Sequence, residues 1–276
     1  MRELDRSLQP RALIQSNFLE QREHAAVDAF LRRSGYVVEV FEPNAAVIDA
    51  LPLDPDVFVF GMLWVMLRLL DRAGLSPVLL PSYPEPIRAL LGREVWQGSV
   101  AALSSAPVAS SGEVFVKVGH VADRTASRAF ASQIVSSFDV VSLHLRDSPE
   151  MVILCSERVE WISEWRVYVS DGEIVGMSMY LPDLAEVGQV RLQYLIDFDV
   201  AKDAVHQLSE AGIATAGYCL DFGALSNGQT TLIEANDGIA LVNYALEPEA
   251  HAALHLSRWR ELMTRLQALS PTIVGS

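Results

Sequence analysis

Short apolar runs alternate with amphipathic, helix-like segments over the first hundred residues. The candidate strands are residues 12–18, 36–41, 57–61 and 77–80, and the candidate helices are residues 20–35 and 62–74. Each helical pattern ends in a glycine, Gly35 and Gly74, which is a common helix stop. Strands that alternate with helices predict a small parallel sheet covered by helices. We therefore expect an N-terminal α/β domain over residues 1–95.

The remainder of the chain is richer in strand patterns. A helical pattern at residues 85–103 leads into a stretch rich in Ser, Ala and Gly, residues 104–112, which is the best linker candidate. Strands are expected at 114–118, 152–155, 165–170, 174–180, 216–222 and 231–235, and helices at 199–212 and 248–269. Asp171-Gly172 and Asn227-Gly228 are turn signals between neighbouring strands. We predict a second domain over residues 96–276, with strands in 112–180 and further strands and a C-terminal helix in 181–276, in the mixed α/β (α+β) class.

Composition and charge exclude several classes of protein. Half of the 276 residues are hydrophobic and the net charge is -14, which supports a large core and argues against a nucleic-acid partner. The most apolar stretch, residues 57–70, is shorter than the roughly 20 residues that cross a bilayer. The first ten residues lack the apolar core of a signal peptide, and Cys155 and Cys219 lie in strand-like runs as buried thiols. We therefore expect a cytoplasmic protein that binds no membrane.

Lys117 lies inside the apolar run Val-Phe-Val-Lys-Val. A charged side chain is costly there unless it reaches solvent or meets an anion. A phosphate ligand is one interpretation, and a lysine on the wet face of an edge strand is the other.

Two further groups of polar residues follow in strand patterns. Glu157 comes directly after the run Val-Ile-Leu-Cys-Ser, residues 152–156. Glu164 and Arg166 are two residues apart, on one face of the next strand. A solvated ion pair is the ordinary explanation for such a Glu and Arg.

Three oxygen-bearing side chains stand at the ends of the last two strands. Asp221 ends one strand, and Glu234 and Asn236 share a face at the end of the other. Carboxylate and amide oxygens suit Mg²⁺ better than Zn²⁺. A polar rim at the strand ends is the alternative.

Other familiar site patterns are missing from the sequence. The histidines do not combine with cysteines in a zinc spacing, and we expect His251 and His255, four residues apart on the C-terminal helix, to be surface residues. No Gly-x-Ser-x-Gly, Walker A or Rossmann glycine motif occurs, which disfavours P-loop and nicotinamide chemistry.

The order of these polar residues resembles that of the ATP-grasp superfamily. The shared order is a lysine in an apolar strand, a glutamate after the next strand, Glu-x-Arg, Asp and Glu-x-Asn. The sequence segments around these residues are also similar to the family: VFVKVG, SEWRVYVSDGEIVGMSMY and YCLDFGALSNGQTTLIEANDG. The resemblance covers about residues 80–262. Within the superfamily, the sequence is similar to the clade named for an arginine and two lysines, the R2K clade. The resemblance implies an ATP-grasp fold with an N-terminal α/β pre-ATP-grasp domain, and ATP and Mg²⁺ as cofactors.

The resemblance also implies a role for each residue. Lys117 would hold the α- and β-phosphates, Glu157 would lie beside adenine, and Glu164 would accept hydrogen bonds from the ribose. Arg166 would face the γ-phosphate. Asp221, Glu234 and Asn236 would hold Mg²⁺.

One position departs from the family pattern. No lysine occurs between Lys117 and Lys202, so the family's second phosphate lysine is missing. Arg128 stands where the family has lysine, in a loop, 119–131, that we expect to close over the phosphates. Arg128 can supply charge, although arginine and lysine differ in geometry and hydration.

The reaction that the resemblance implies joins a carboxylate to an amine through an acyl-phosphate, with release of ADP and phosphate. The catalytic residues would be Lys117, Arg128 and Arg166. The partners would be a small-molecule or peptide carboxylate and an amine acceptor, with Tyr83, Arg93 and Trp96 near the acceptor; whether the chain forms a homodimer is left open. A phosphotransferase on the same fold and a non-catalytic nucleotide-binding module are the alternatives.

Overall fold

The computed structural model describes residues 9–18, 22–75, 79–103, 112–118, 132–138, 147–182 and 191–269. The chain divides into two compact units. One combines Met1–Leu90 with Ile162–Ser276, and the other is Leu91–Trp161. The domain boundary expected between residues 95 and 96 remains a prediction.

A three-stranded parallel sheet forms the N-terminal part of the first unit, as predicted. Its strands are β1 (Arg11–Gln15), β2 (Val37–Phe41) and β3 (Val57–Phe60), in the order β2-β1-β3. The helices are α1 (Arg22–Arg33), α2 (Ala45–Ala50) and α3 (Leu63–Arg72). The short α2 was not predicted; the Asn44 side chain caps it by accepting from the Val47 N–H at 3.0 Å.

The expected fourth strand, residues 77–80, lies partly outside the described residues. Its last two residues, Leu79 and Leu80, are not in a strand.

A four-stranded antiparallel sheet forms the rest of the first unit. Its strands are β8 (Ser163–Ser170), β9 (Glu173–Leu181), β10 (Gly217–Ala224) and β11 (Thr230–Asp237), in the order β11-β10-β8-β9. Asp171 and Gly172 both have positive φ, 50° and 83°, which confirms the tight turn between β8 and β9. Helix α5 (Phe198–Glu210) contacts β9.

The C-terminal helix α6 (Pro248–Leu269) packs against α1, β3, β8 and β10, all within the first unit. A Cβ at Gly217 would lie 2.5 Å from the Leu254 carbonyl oxygen, so only glycine lets β10 approach this helix so closely. His251 and His255 are both buried on α6, and the expectation that they are surface residues was wrong. The reason is that α6 contacts a sheet or helix on more than one side, so more than one face of it is covered.

The second unit contains a four-stranded antiparallel sheet in the order β4-β7-β5-β6. Its strands are β4 (Val95–Ser99), β5 (Val114–Val118), β6 (Ser132–Val135) and β7 (Val152–Glu157), with the short helix α4 (Val100–Leu103) after β4. The long helix expected at residues 85–103 was wrong. Residues Glu85–Leu91 form a 3-10 helix and 95–99 pair with β7, because Trp96 packs into the core of this sheet.

The core of the second unit lies on one face of its sheet, where Val114, Val116, Ile153 and Cys155 are buried together. Cys155 and Cys219 are both buried free thiols, as predicted. Burial raises the pKa of the Cys155 thiol to about 12.

In the described parts of the chain, no helix combines the length and apolar character needed to span a membrane.

Candidate active site

Strand register brings polar side chains together on one face of the antiparallel sheet. Asp221 on the central strand β10 lies opposite Arg166 of β8 on one side and Glu234 of β11 on the other. Asn236 lies opposite Cys219, two residues before Asp221. Directly opposed residues share a face of a sheet, so Arg166, Asp221, Glu234 and Asn236 form one cluster.

Arg166 and Asp221 form a bidentate ion pair across β8 and β10. Arg166 Nε donates to Asp221 Oδ1 and Arg166 Nη2 donates to Asp221 Oδ2, both at 2.8 Å. Both residues are buried, with Asp221 only 2% exposed. Planar fork geometry of this kind fixes the orientation of a guanidinium as well as its position.

Asn236 links the two carboxylates of the cluster. Its Nδ2 donates to Asp221 Oδ2 at 3.1 Å and to Glu234 Oε1 at 3.0 Å. Strand β11, which carries Asn236 and Glu234, is also bonded to Ser82. The Ala235 N–H donates to the Ser82 carbonyl oxygen at 2.9 Å. The three oxygen-bearing side chains therefore lie together, as expected from the sequence. Their expected place at the strand ends was wrong for Asp221 and Glu234, because β10 and β11 pair for three residues beyond each of them.

The chemistry of this donor set fits Mg²⁺. The Asn236 side chain lies within hydrogen-bond distance of both carboxylates, and carboxylate and amide oxygens are ligands that Mg²⁺ prefers. No group of three or more His, Cys, Asp or Glu side chains is placed to bind a metal among the described residues. A cation at this cluster would therefore rest on Asp221, Glu234 and Asn236, with its other ligands supplied by water or phosphate.

Glu164 lies on the same face of β8, two residues before Arg166. Burial raises the pKa of the Glu164 carboxyl, and the Tyr180 hydroxyl of β9, which hydrogen-bonds to it, opposes that rise. Burial also raises the pKa of Tyr180 well above its usual value, so this phenol remains a donor.

Three tyrosines near Arg166 were not predicted from the sequence. The Arg166 guanidinium lies 4.9 Å from the centre of the Tyr244 ring and 5.9 Å from that of Tyr180. The Tyr168 hydroxyl accepts from the Tyr244 N–H at 2.9 Å. Strand alternation could have placed Tyr168 and Tyr180 on the Arg166 face. No local pattern marks Tyr244, which lies in the segment between β11 and α6.

The second unit holds two of the other predicted site residues. Lys117 is buried on β5, where it lies opposite Leu154 of β7, and Glu157 lies opposite Val114. Alternation therefore puts Lys117 and Glu157 on opposite faces of this sheet. The Glu157 carboxylate accepts from the Glu94 N–H at 3.0 Å, at the end of β7.

Arg128 and the expected closing loop, 119–131, lie outside the described residues. The structure therefore brings together Glu164, Arg166, Asp221, Glu234 and Asn236 in the first unit. Lys117 and Glu157 belong to the second.

A family model and several solved structures are similar to this chain. Residues 90–254, more than half of the chain, match the ATP-grasp domain of R2K clade family 2. A RimK domain ATP-grasp protein from Sphaerobacter thermophilus superposes with a TM-score of 0.56 at 14% identity, covering 91% of this chain and 99% of its own.

Two further solved structures give similar superpositions. For D-cycloserine synthetase DcsG the TM-score is 0.53 at 12% identity, over 93% of this chain and 99% of that one. For D-alanine–D-alanine ligase from Bacillus anthracis, solved with ATP, the TM-score is 0.53 at 11% identity, over 96% of this chain and 100% of that one. At these identities the likeness shows the ATP-grasp fold alone. A search of curated proteins found no match.

Proposed function

From the premise that this chain belongs to family 2 of the R2K clade of ATP-grasp domains, we propose that it is an ATP-dependent carboxylate-amine ligase. It would form an amide or peptide bond through an acyl-phosphate and release ADP and phosphate. The substrates would be a small-molecule or peptide carboxylate and an amine.

The buried Arg166 with its carboxylate and amide neighbours is the observation that carries this proposal. Asp221 binds one edge of the guanidinium through Nε and Nη2. Arginine has five N–H donors in a fixed plane and keeps its charge at any working pH, so the opposite end of the group can still meet an anion. A charged group that is buried but not fully used is well suited to bind a phosphate.

Asp221, Glu234 and Asn236 would hold Mg²⁺, which would neutralise charge on the phosphate oxygens. Arg166 would bind the transferring phosphoryl group and offset the charge that builds on its oxygens as the carboxylate attacks. Glu164 would accept hydrogen bonds from the ribose hydroxyls. The roles of Lys117 and Arg128 at the phosphates, and of Glu157 beside adenine, are carried over from the family pattern.

Two bonds change in the first step. The bond between the γ-phosphorus and the bridging oxygen of ATP breaks, a carboxylate oxygen bonds to that phosphorus, and ADP leaves. The amine then attacks the acyl carbon, and phosphate leaves with the former carboxylate oxygen. Water must be excluded meanwhile, because it would hydrolyse the acyl-phosphate.

Oxygen labelling tests this sequence of steps. A set of amino acids and short peptides is first screened for amine-dependent phosphate release, and the active acid is then prepared with ¹⁸O in its carboxylate. We expect one ¹⁸O atom in each released phosphate, together with ADP. Phosphate retained on a hydroxyl product would indicate a phosphotransferase, and nucleotide binding without turnover would indicate a binding module. Formation of AMP would contradict an acyl-phosphate route.

A further inference from the structure

Two aromatic rings lie beside the Arg166 guanidinium. The rings of Tyr180 and Tyr244 are stacked, with centroids 4.7 Å apart and planes 21° apart, and Arg166 lies within 6 Å of both centroids. Stacked tyrosines present electron-rich faces that attract a cation. Arg166 is therefore held by the Tyr180–Tyr244 pair as well as by Asp221.

The Tyr244 ring is placed by a backbone anchor. The buried Tyr168 hydroxyl donates to the Val242 carbonyl oxygen at 3.1 Å and accepts from the Tyr244 N–H at 2.9 Å. One phenol on β8 thus binds the segment on both sides of Asn243. Since Tyr168 and Arg166 are neighbours on one face of β8, this anchor brings the Tyr244 ring over the guanidinium.

Tyr180 is placed independently of that anchor. It belongs to β9, and its hydroxyl hydrogen-bonds to the Glu164 carboxylate. In the ring pair, Tyr180 is therefore held by strand β9, and Tyr244 is held by the segment that Tyr168 anchors.

The contacts of Arg166 use only part of its donor capacity. Nε and Nη2 each give one hydrogen to Asp221, and Nη1 gives one to the Val242 carbonyl oxygen at 3.4 Å. These contacts use three of the five N–H groups of Arg166. The other two, one on Nη1 and one on Nη2, take no part in them. Paired N–H groups on one planar group match two oxygens of a phosphate.

We infer that Tyr244 is a positioning residue for Arg166, which holds the guanidinium plane so that its remaining N–H groups stay directed at a phosphate of the nucleotide. The inference rests on the proposed function, because it takes Arg166 to bind the transferring phosphoryl group. Tyr244 acts through Arg166 and touches neither ATP nor the acceptor in this assignment.

A pair of variants separates the ring from the hydroxyl. Tyr244→Phe keeps the ring and is the matched control, whereas Tyr244→Leu removes the ring and keeps an apolar side chain. Binding of a non-hydrolysable ATP analogue with Mg²⁺ is measured by calorimetry. We expect the affinity of Tyr244→Phe to stay within about twofold of wild type, and that of Tyr244→Leu to fall about two- to thirtyfold, the range of a cation–π contact.

A spectroscopic readout reports on Arg166 itself. The ¹H–¹⁵N signal of Arg166 Nε, assigned by its loss in Arg166→Lys, should be shifted by the Tyr244 ring in the free protein. Tyr244→Leu should move this signal and Tyr244→Phe should not. A merely structural role for Tyr244 would lower the melting temperature without moving the signal relative to its neighbours.

A third variant tests the anchor and guards against misfolding of Tyr244→Leu. Tyr168→Phe keeps every ring but removes the hydroxyl that holds Val242 and Tyr244, and it should move the Arg166 signal in the same direction. The inference is overturned if wild type binds the analogue and all three variants match it in affinity and Arg166 signal. If wild type binds no nucleotide, the proposed function fails, while the Arg166 signal still shows whether Tyr244 positions the guanidinium.

Discussion

Arg166 and Asp221 face each other across β8 and β10 and share two hydrogen bonds of 2.8 Å. A second pair with the same geometry, Arg68 and Asp49, lies at the surface of the same unit, with side chains 45% and 48% exposed. The two pairs share this bidentate contact and differ in burial, and Asp221 also accepts from Asn236. Comparing them measures how much the buried surroundings add to the same arginine–aspartate contact.

Asp221→Asn should destabilise the protein far more than Asp49→Asn. Removing one charge of a buried pair leaves the other charge uncompensated, which costs about 3–5 kcal/mol. The exposed Arg68 returns to water instead, so the stability of Asp49→Asn should stay close to wild type. Guanidinium unfolding of both variants gives the two free energies. Equal losses would mean that the Arg166–Asp221 pair is not effectively buried.

Glu234→Ala should weaken the dependence of nucleotide binding on Mg²⁺. The carboxylate lies 3.0 Å from Asn236 Nδ2 in the cluster that fits a divalent cation, and its loss removes one of two acidic ligands. Titration of an ATP analogue with and without Mg²⁺ measures the effect. Glu173→Ala, an exposed carboxylate on β9, is the control and should behave as wild type. An unchanged Mg²⁺ dependence in Glu234→Ala would count against the metal assignment.

Lys117→Met should lower nucleotide affinity while the fold survives. The methionine keeps the apolar stem of a buried strand residue and removes only the charge, whose burial is costly. A lost charge-assisted hydrogen bond corresponds to a fall in affinity of about ten- to a hundredfold. Lys202→Met provides the control, since Lys202 is the second of the two lysines in the sequence and is exposed on α5. A large fall in melting temperature with normal affinity would make Lys117 a structural residue.

The protein should lose stability as the pH falls from about 6.5 towards 4. Burial lowers the pKa of His24, which packs beside Phe60 and His251, from 6.5 to about 4. Between these two pH values, His24 is protonated in the unfolded chain and neutral in the folded chain. The free energy of unfolding therefore decreases as the pH is lowered, by up to roughly 3 kcal/mol for this residue. His255 contributes in the same direction, because burial lowers its pKa well below the usual value.

The contribution of His24 is isolated by a difference between variants. Unfolding is measured from pH 7 to pH 4 for His24→Leu and for His206→Gln, the latter an exposed histidine on α5. His24→Leu should show the shallower loss of stability, and His206→Gln should follow wild type. Parallel curves for wild type and His24→Leu would show that His24 does not govern the acid response.

The strands that carry the site could be predicted because their signals are local. The pattern of β8 and β9, with Asp171-Gly172 between them, specifies a hairpin whatever packs against it. Two-residue alternation then puts Glu164 and Arg166 on one face of β8, and Glu234 and Asn236 on one face of β11. Pairing with β10 makes these the same face of the sheet. The N-terminal helix ends at Gly35 and Gly74 were equally local, since both glycines adopt positive φ.

The predicted helix at residues 85–103 failed for a tertiary reason. Residues 95–99 have no strong pattern of their own, and they become a strand because β7 offers a partner and the core accepts Trp96. Strand formation depends on the neighbouring strand and on burial more than on intrinsic preference.

The amino-acid sequence by itself determined the strands that carry the site, the tight turns and the spacing of the polar residues, because each depends on neighbours along the chain. Tertiary structure alone decided which residues meet. It opposed Arg166 to Asp221 across 55 positions of sequence, and it laid the loop residue Tyr244 over that guanidinium. It also buried His251 and His255, because packing on several sides of α6 cannot be read from the periodicity of one helix.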